Sequence, residues 1–262
     1  MIELKREDLN IVEPICMESR EVLVRAAVEG RMGHVWVPKM EKPPFCLINL
    51  GDFAFVRGIT PKSGGALELK EQIYESCGHT FLTPQNELWA DWIEDTFLGE
   101  FRQVTRYALK KDEQHFDTDT LERYVKQVPD GIKIKQIDEK LYKKALKEEW
   151  SRDFCSNFED AEHFVTDGLG FVAVKGRELV SGCSAYGVSS GMLEIEVGTR
   201  PDYRRQGLAL ACSAALVLEC LKRGIYPNWD AANAKSVVLA EKLGYVFEKE
   251  YTVYQLINGL ED

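Results

Sequence analysis

The chain has 262 residues, 45% hydrophobic and 29% charged, with a formal net charge of −10. That length holds one large domain or two ordinary ones, and the apolar fraction suffices for a buried core. The acidic balance argues against a general nucleic-acid binder, which shows a basic face, and suits a cationic small molecule such as an amine. The charged N-terminus MIELKREDLN predicts no secretory signal, and no apolar run reaches the roughly 20 residues of a membrane-crossing helix. Seven cysteines (Cys16, Cys46, Cys77, Cys155, Cys183, Cys212, Cys220) are scattered and never spaced C-x-x-C. They predict free, mostly buried thiols, a reducing cytoplasm and no metal cluster. The histidines His34, His79, His115 and His163 lie far apart and read as structural or surface residues.

In the first half, a helical pattern runs from about Asn10 to Gly30, with Ile15, Val22, Leu23, Ala26 and Ala27 on its apolar side. HVWVP and PPFCLINLGDFAFVRG follow; the second alternates around Asn49-Leu50-Gly51-Asp52 and reads as two strands and a turn. ITPKSGG is a loop, Ala66 to Cys77 a helix stopped at Gly78, and TFLTP a short strand. Asn86 to Leu98 is a helix carrying Trp89, Trp92 and Phe97, and Phe101 to Leu109 is a strand. KKDEQHFDTDTLERYVKQVPDG is the most polar stretch, and Pro129-Asp130-Gly131 is a strong turn signal. The domain boundary is expected there, separating an N-terminal α/β domain, 1–130, from a second domain, 131–262. The first domain is expected to close one side of an acceptor site with Trp36, Trp89 and Trp92, or else to bury them in its core.

The second half opens with the strand IKIKQID, a helix from Glu139 to Trp150, and a second helix containing Ala161, Phe164 and Val165 that Gly168 and Gly170 stop. FVAVK, ELVSGCSAYGV and MLEIEVGT are strands, with turns at Gly176-Arg177 and Ser189-Ser190-Gly191. A long helix follows, then YPNWDA as a strand, Asn233 to Leu243 as a helix closed by Gly244, and one or two strands over Tyr245 to Leu256. The order helix–Gly–strand–helix–Gly–strand occurs at Ala66 to Leu109 and again at Leu208 to Leu256. It reads either as a tandem fold with a degenerate first copy or as the ordinary recurrence of such elements in α/β chains.

The stretch TRPDYRRQGLALACSAALVLECLKRG, Thr199 to Gly224, carries the chemistry. A strand runs into a short loop and then a helix, whose first amides lack internal partners and lie at the positive end of the dipole. Gly207 admits close backbone approach, Ala209 keeps the wall small, and Arg204 and Arg205 add charge, which together describe a diphosphate cradle. Neither G-x-x-x-x-G-K-[ST] nor G-x-G-x-x-G is present. On the preceding strand, Glu194 and Glu196 alternate on one face, with Ile195 and Val197 on the other.

Thr199-Arg200-Pro201-Asp202-Tyr203-Arg204-Arg205-Gln206-Gly207-Leu208-Ala209 resembles the acetyl-CoA signature of the GNAT superfamily of N-acetyltransferases, V-x-P-x-Y-R-(G)-x-G-x-(G/A) after a strand and before a long helix. Asn233 to Tyr245 resembles a second GNAT motif, N-x-x-(A/S)-x-x-L-Y-x-K-x-G-(F/Y), at every marked position but Ala240. Both motifs occur in order, and the resemblance covers about Ile132 to Leu256. The run VLVRAAVEGRMGHVWVPKMEKPPFCLINLGDFAFVRG is similar to the region before the GNAT domain in a bacterial group that includes the zwittermicin A resistance protein, which indicates a group rather than a substrate.

The resemblance implies an α/β (α+β) fold, a central mixed sheet flanked by helices, preceded by a smaller α/β domain that is a degenerate GNAT-like copy if the tandem reading holds. It implies acetyl transfer from acetyl-CoA to a primary amine of a small molecule, with no metal. The amides of Arg205 to Leu210, spanning Gln206, Gly207, Leu208 and Ala209, with Arg204 beside them, would bind the diphosphate. Val197, Gly198 and Thr199 would pair with the pantetheine arm as an added strand. Asn233 would contact or position that arm with Ser236 one turn later, although Asn233 also reads as a plain N-cap. Glu196, and with less support Glu194, would take the amine proton. Asp230, beside Trp229, would attract a cationic acceptor or serve a turn. Many members carry a tyrosine acid at the position of Ala240; Tyr203, Tyr251, Tyr254 or water would have to replace it. That departure motivates a rival reading, a CoA-binding sensor without turnover, and a protein N-acetyltransferase is a third. An acyl-cysteine route through Cys183, Cys212 or Cys220 runs against the family's direct attack. The oligomeric state stays open.

Overall fold

The computed structural model describes residues 1–78 and 80–257, so His79 lies outside the described residues. The chain packs as two compact units, Met1–Arg106 with the residues from Tyr251 onward, and Tyr107–Glu250. It leaves the first unit within one strand and returns to it within another.

The first unit contains β1 (Ile2–Glu3), α1 (Glu13–Cys16), α2 (Val22–Val28), β2 (His34–Val37), β3 (Phe45–Leu50), β4 (Phe53–Gly58), α3 (Gly64–Cys77), β5 (Phe81–Thr83), α4 (Glu87–Thr96) and the start of β6 (Phe101–Leu109). The single helix expected over Asn10 to Gly30 is instead a 3-10 turn (Arg6–Val12) and two short helices. Pro14 cannot donate within a continuous helix, and the hydroxyl of Ser19 accepts from the amide of Glu21, which restarts the chain at α2. β1, β2, β3 and β4 pair antiparallel in that order, and β5 joins β4 in parallel. α4 starts where the Asn86 side chain accepts from the amide of Trp89. Trp36, Trp89 and Trp92 lie in one core with Leu47, Ile73 and Phe97, so the tryptophans fill the interior of this unit.

The second unit contains α5 (Thr118–Lys126), β7 (Ile132–Gln136), α6 (Glu139–Ala145), α7 (Glu149–Arg152), α8 (Ala161–Asp167), β8 (Gly170–Lys175), β9 (Glu178–Ser189), β10 (Met192–Thr199), α9 (Leu208–Arg223), β11 (Tyr226–Asn228), β12 (Asp230–Ala231), α10 (Ala234–Leu243) and the start of β13 (Phe247–Leu256). The boundary expected at residue 130 falls inside this unit. The polar stretch before it hides α5, which Asp117 caps and which packs on α9 with Leu121 as its buried residue. Polarity marks a solvated outer face here, not a linker. β7, β8, β9 and β10 pair antiparallel in that order, and β11 joins β10 in parallel.

The two units therefore repeat one connectivity: three antiparallel pairings, a helix, a parallel strand and a second helix. This places the echo between Ala66–Leu109 and Leu208–Leu256 on matching elements, α3 with α9 and α4 with α10. The fold is α/β with mixed sheets flanked by helices.

Candidate functional site

β10 and β11 pair only over Met192↔Tyr226, Leu193↔Pro227 and Glu194↔Asn228. Beyond Glu194, β10 continues to Thr199 with β9 on one edge alone. Among the described residues, the other edge of Ile195 to Thr199 has strand geometry and no strand beside it. Glu194 fixes the point of divergence. It is buried, accepting from Nδ2 of Asn228 at 2.6 Å and from the amide of Asp230 at 3.1 Å. Both carboxylate oxygens thus tie the strand to its departing neighbour.

Register sets which side chains share a face. Val197 lies opposite Cys183 and Thr199 opposite Ser181; Cys183 lies beside Ser213 of α9, so this face packs on that helix. The hydroxyl of Ser181 meets Thr199 Oγ1 at 2.7 Å and donates to the carbonyl of Gly198 at 3.0 Å, which holds the strand end. Gly198 and Glu196 belong to the opposite face. A Cβ on Gly198 would stand 3.2 Å from the Phe154 ring, and one on the facing Gly182 would clash with it at 2.5 Å. The glycine pair thus seats Phe154, which carries Trp150 edge-on at 5.8 Å. Glu196 is half-buried opposite Ser184. The Ser184 hydroxyl is fully buried and has no hydrogen-bond partner among the described residues.

The loop 200–207 leads into α9. Arg200 is forked onto Asp202, Nε to Oδ1 at 2.8 Å and Nη2 to Oδ2 at 3.0 Å, and its Nη1 reaches Glu178 at 3.0 Å. These bonds hold the Asp202 carboxyl below its ordinary range and raise the Arg200 guanidinium. Arg200 also stacks on Tyr203 at 4.7 Å, with Lys175 over the same ring at 5.2 Å. Arg204 Nε donates to the Thr199 carbonyl at 3.3 Å, and Gln206 Nε2 to the Asp202 carbonyl at 3.5 Å. Two residues then take left-handed backbone conformations, Arg205 (φ 62) and the N-cap Gly207 (φ 78). A side-chain-bearing residue rarely adopts this region without an imposed reason. No side chain caps α9, and its first turn closes with the bond from the Ala211 amide to the Gly207 carbonyl at 3.0 Å. Among the described residues, the amides from Arg205 to Leu210 have no partner in the protein. They run from an exposed loop, 204–207, into a helix start where Leu208 is buried and Ala209 and Leu210 are half-buried, and free amides at a loop leading into a helix are the arrangement that receives an anion.

α10 starts differently. Asn233 Oδ1 accepts from the amides of Lys235 and Ser236 at 3.0 and 3.1 Å, so Asn233 is an N-cap. Ser236 Oγ accepts from the indole of Trp229 at 3.0 Å, and Trp229 packs edge-on against Tyr245 at 5.5 Å. Ala240, one turn beyond Ser236 on the same side of the helix, is fully buried.

A family model, GNAT acetyltransferase, matches residues 13–254. The chain belongs to this family. It is 26% identical over 189 residues to the Bacillus subtilis (strain 168) protein named uncharacterized N-acetyltransferase YdfB, covering 71% of this chain and 69% of that one. A GCN5-related N-acetyltransferase-like protein from Streptococcus suis 89/1591 has a crystal structure similar at 39% identity and a TM-score of 0.85, over 95% of this chain and 98% of that chain. A tandem GNAT protein from the clavulanic acid biosynthesis pathway shares the fold at 14% identity and a TM-score of 0.52, over 88% of this chain and 84% of that one. The GNAT match takes in both units, and this chain is an acyltransferase of the N-acetyltransferase class.

Within that GNAT frame, the two motifs read from sequence occupy the loop 200–207 with α9, and α10. Three residues gave no usable sequence signal: Asn228, which Glu194 engages; Ser184, which faces Glu196; and Arg200, which braces the loop. Each matters through a partner distant in the chain. Of the tyrosines considered as acids, Tyr251 and Tyr254 belong to the first unit, where the Tyr254 hydroxyl donates to Glu94 at 2.7 Å. Burial drives the Cys183 thiol well above its ordinary range and Cys212 and Cys220 up to about 12, which opposes a thiolate nucleophile.

Proposed function

We propose that this GNAT protein transfers an acetyl group from acetyl-CoA to the primary amine of a small molecule. The observation that carries the reading is the run of unpartnered amides from Arg205 to Leu210, with two left-handed residues and a pair of arginines at its entrance. In this assignment those amides, with Arg204, hold the diphosphate of CoA. The open edge of Val197, Gly198 and Thr199 receives the pantetheine arm by backbone pairing. Asn233 and Ser236 act by shaping the start of α10 and the Trp229 wall.

Glu196 is assigned as the base. Its carboxylate takes a proton from the ammonium acceptor, and the neutral nitrogen attacks the thioester carbonyl. The C–N bond forms, the C–S bond breaks, and the second proton lost by the nitrogen passes through water to the departing thiolate. Ser184 lies opposite Glu196 with a hydroxyl available to orient it. Glu194 is given the role of holding the strand opening, because its two oxygens already accept from Asn228 and Asp230. Asp230 and the overall acidic charge favour a cationic acceptor. No described helix is long and apolar enough to cross a membrane, and all seven cysteines are free and buried, which supports a cytoplasmic assignment.

The buried Ala240 in place of an acid supports a second reading, a CoA-binding sensor without turnover. Thiol release from acetyl-CoA, measured against a panel of small polyamines, amino sugars, amino acids and lysine peptides, separates the readings. Turnover with a small amine, lost in Glu196→Gln, is the expected result. Tight acetyl-CoA binding with no turnover on any amine supports the sensor, and preference for the peptides supports a protein substrate.

A further inference from the structure

Cys16, Cys46 and Arg57 form a buried cluster in the first unit that acyl transfer does not use. Cys16 closes α1, Cys46 is the second residue of β3, and their sulfurs stand 3.8 Å apart. Cys46 and Arg57 are direct partners across β3 and β4, so their side chains share one face. Arg57 is only 5% exposed. Its Nη1 donates to the carbonyls of Val56 and Thr83 at 3.0 and 3.3 Å, and Glu21 acts on it only through charge. A buried cation beside two thiols stabilises a thiolate. The hydrogen bond with Cys46, reinforced by the Arg57 charge, draws Cys16 below its ordinary value; the same bond and burial hold the proton on Cys46. The other thiols have the opposite setting, with burial pushing Cys77, Cys155, Cys212 and Cys220 to about 12 and Cys183 higher still.

We propose that Cys16 and Cys46 are an oxidative modification site that closes to a disulfide when the protein meets a hydroperoxide. The Cys16 sulfur attacks one peroxide oxygen. An S–O bond forms, the O–O bond breaks, and the leaving oxygen departs as water or an alcohol after taking a proton. The Cys46 sulfur then attacks the resulting sulfenic acid. The S–S bond forms, the S–O bond breaks, and a second water leaves with the proton from Cys46. Two electrons pass from the two thiols to the peroxide. Closing from 3.8 Å to a disulfide length of about 2.05 Å needs a rotation at Cys16 and a small shift of α1. That helix has four residues and is followed at once by Met17, which is 79% exposed. The peroxide therefore has a short approach to Cys16.

The test uses the reduced full chain, limiting hydrogen peroxide, alkylation of remaining thiols and peptide mapping by mass spectrometry. The Cys16–Cys46 cross-linked peptide is expected first, with the other five cysteines recovered alkylated. Recovery of Cys16 and Cys46 as free thiols at a peroxide dose that oxidises another cysteine or Met17 overturns the proposal. In Cys46→Ser, which keeps the attacking thiol, a dimedone adduct is expected at Cys16, and its absence contradicts the assigned order of steps. Arg57→Met is expected to slow oxidation on the order of tenfold; an unchanged rate removes the guanidinium from the account.

Discussion

In the first unit, β4 and β5 pair over Phe53, Ala54 and Phe55 and then part. In the second, β10 and β11 pair over Met192, Leu193 and Glu194 and then part. Two residues past the last pair stand Arg57 and Glu196. Arg57 is buried and reaches back to the Thr83 carbonyl on the departing strand, so the first opening is bridged by the protein's own side chain. Glu196 remains half-buried beside an unbonded serine hydroxyl. The loops that follow diverge in the same sense. After loop 59–63, the amides of Gly65 and Ala66 bond locally to the carbonyls of Lys62 and Ser63. After loop 200–207, which carries three arginines, the amides from Arg205 to Leu210 stay unpartnered among the described residues. One connectivity can thus bridge its opening with a side chain or leave it unbridged by a strand, and the side chains at matching positions differ accordingly.

The largest expected effect comes from the matched pair at the opening. Glu196→Gln is expected to lower kcat by about a hundredfold to ten-thousandfold while leaving acetyl-CoA affinity unchanged, measured by steady-state kinetics beside direct binding. Arg57→Gln is expected to leave turnover per folded molecule unchanged. Equal loss in both variants would mean that the two openings do not differ in function.

A smaller effect is expected at the clamp that sets the second opening. Asn228→Asp sets a carboxylate against Glu194 in a buried site, and like charges there repel strongly. The expected result is acetyl-CoA binding weaker by about tenfold, with most of it regained in the exchanged double variant Glu194→Gln with Asn228→Asp. There a glutamine amide donates to the new carboxylate and its carbonyl still accepts from Asp230. If the double variant is no better than the single one, the two side chains do not act as a pair.

The smallest effect concerns the loop brace. Arg200 lowers the Asp202 carboxyl pKa, so the stabilisation exists above the ordinary carboxylate value and fades as pH falls through the lowered one. Thermal melts should place wild type slightly above Asp202→Asn at neutral pH, with the gap closing on acidification. Exposure and screening keep the difference small. A gap that widens in acid would contradict the brace.

The second unit was largely legible in the sequence because its signals are local. Alternation marked β8, β9 and β10, glycine stops marked α9 and α10, and the motif around Gly207 sits on one continuous segment. What escaped depended on pairing. YPNWDA reads as one strand, but Trp229 interrupts it and its two parts join different neighbours. α5 was hidden because its apolar stripe is short, Leu121 buried with Tyr124 and Val125 half-buried one turn on, and lies within an otherwise polar stretch. The weak internal echo has its explanation in the register. Matching elements keep their connectivity while Arg57 stands where Glu196 does, so the likeness lies in strand pairing and not in residue identity. Ala240, an anomaly in the motif, is a core residue on the side of α10 that holds Ser236 and Trp229.

Titration calorimetry with acetyl-CoA on wild type and Gly207→Val tests the central claim most directly. The account predicts one equivalent bound per chain, and binding weakened by at least about tenfold in the variant, because a β-branched residue resists the left-handed backbone that presents the amides. Two equivalents per chain, or unchanged binding in Gly207→Val, would contradict it.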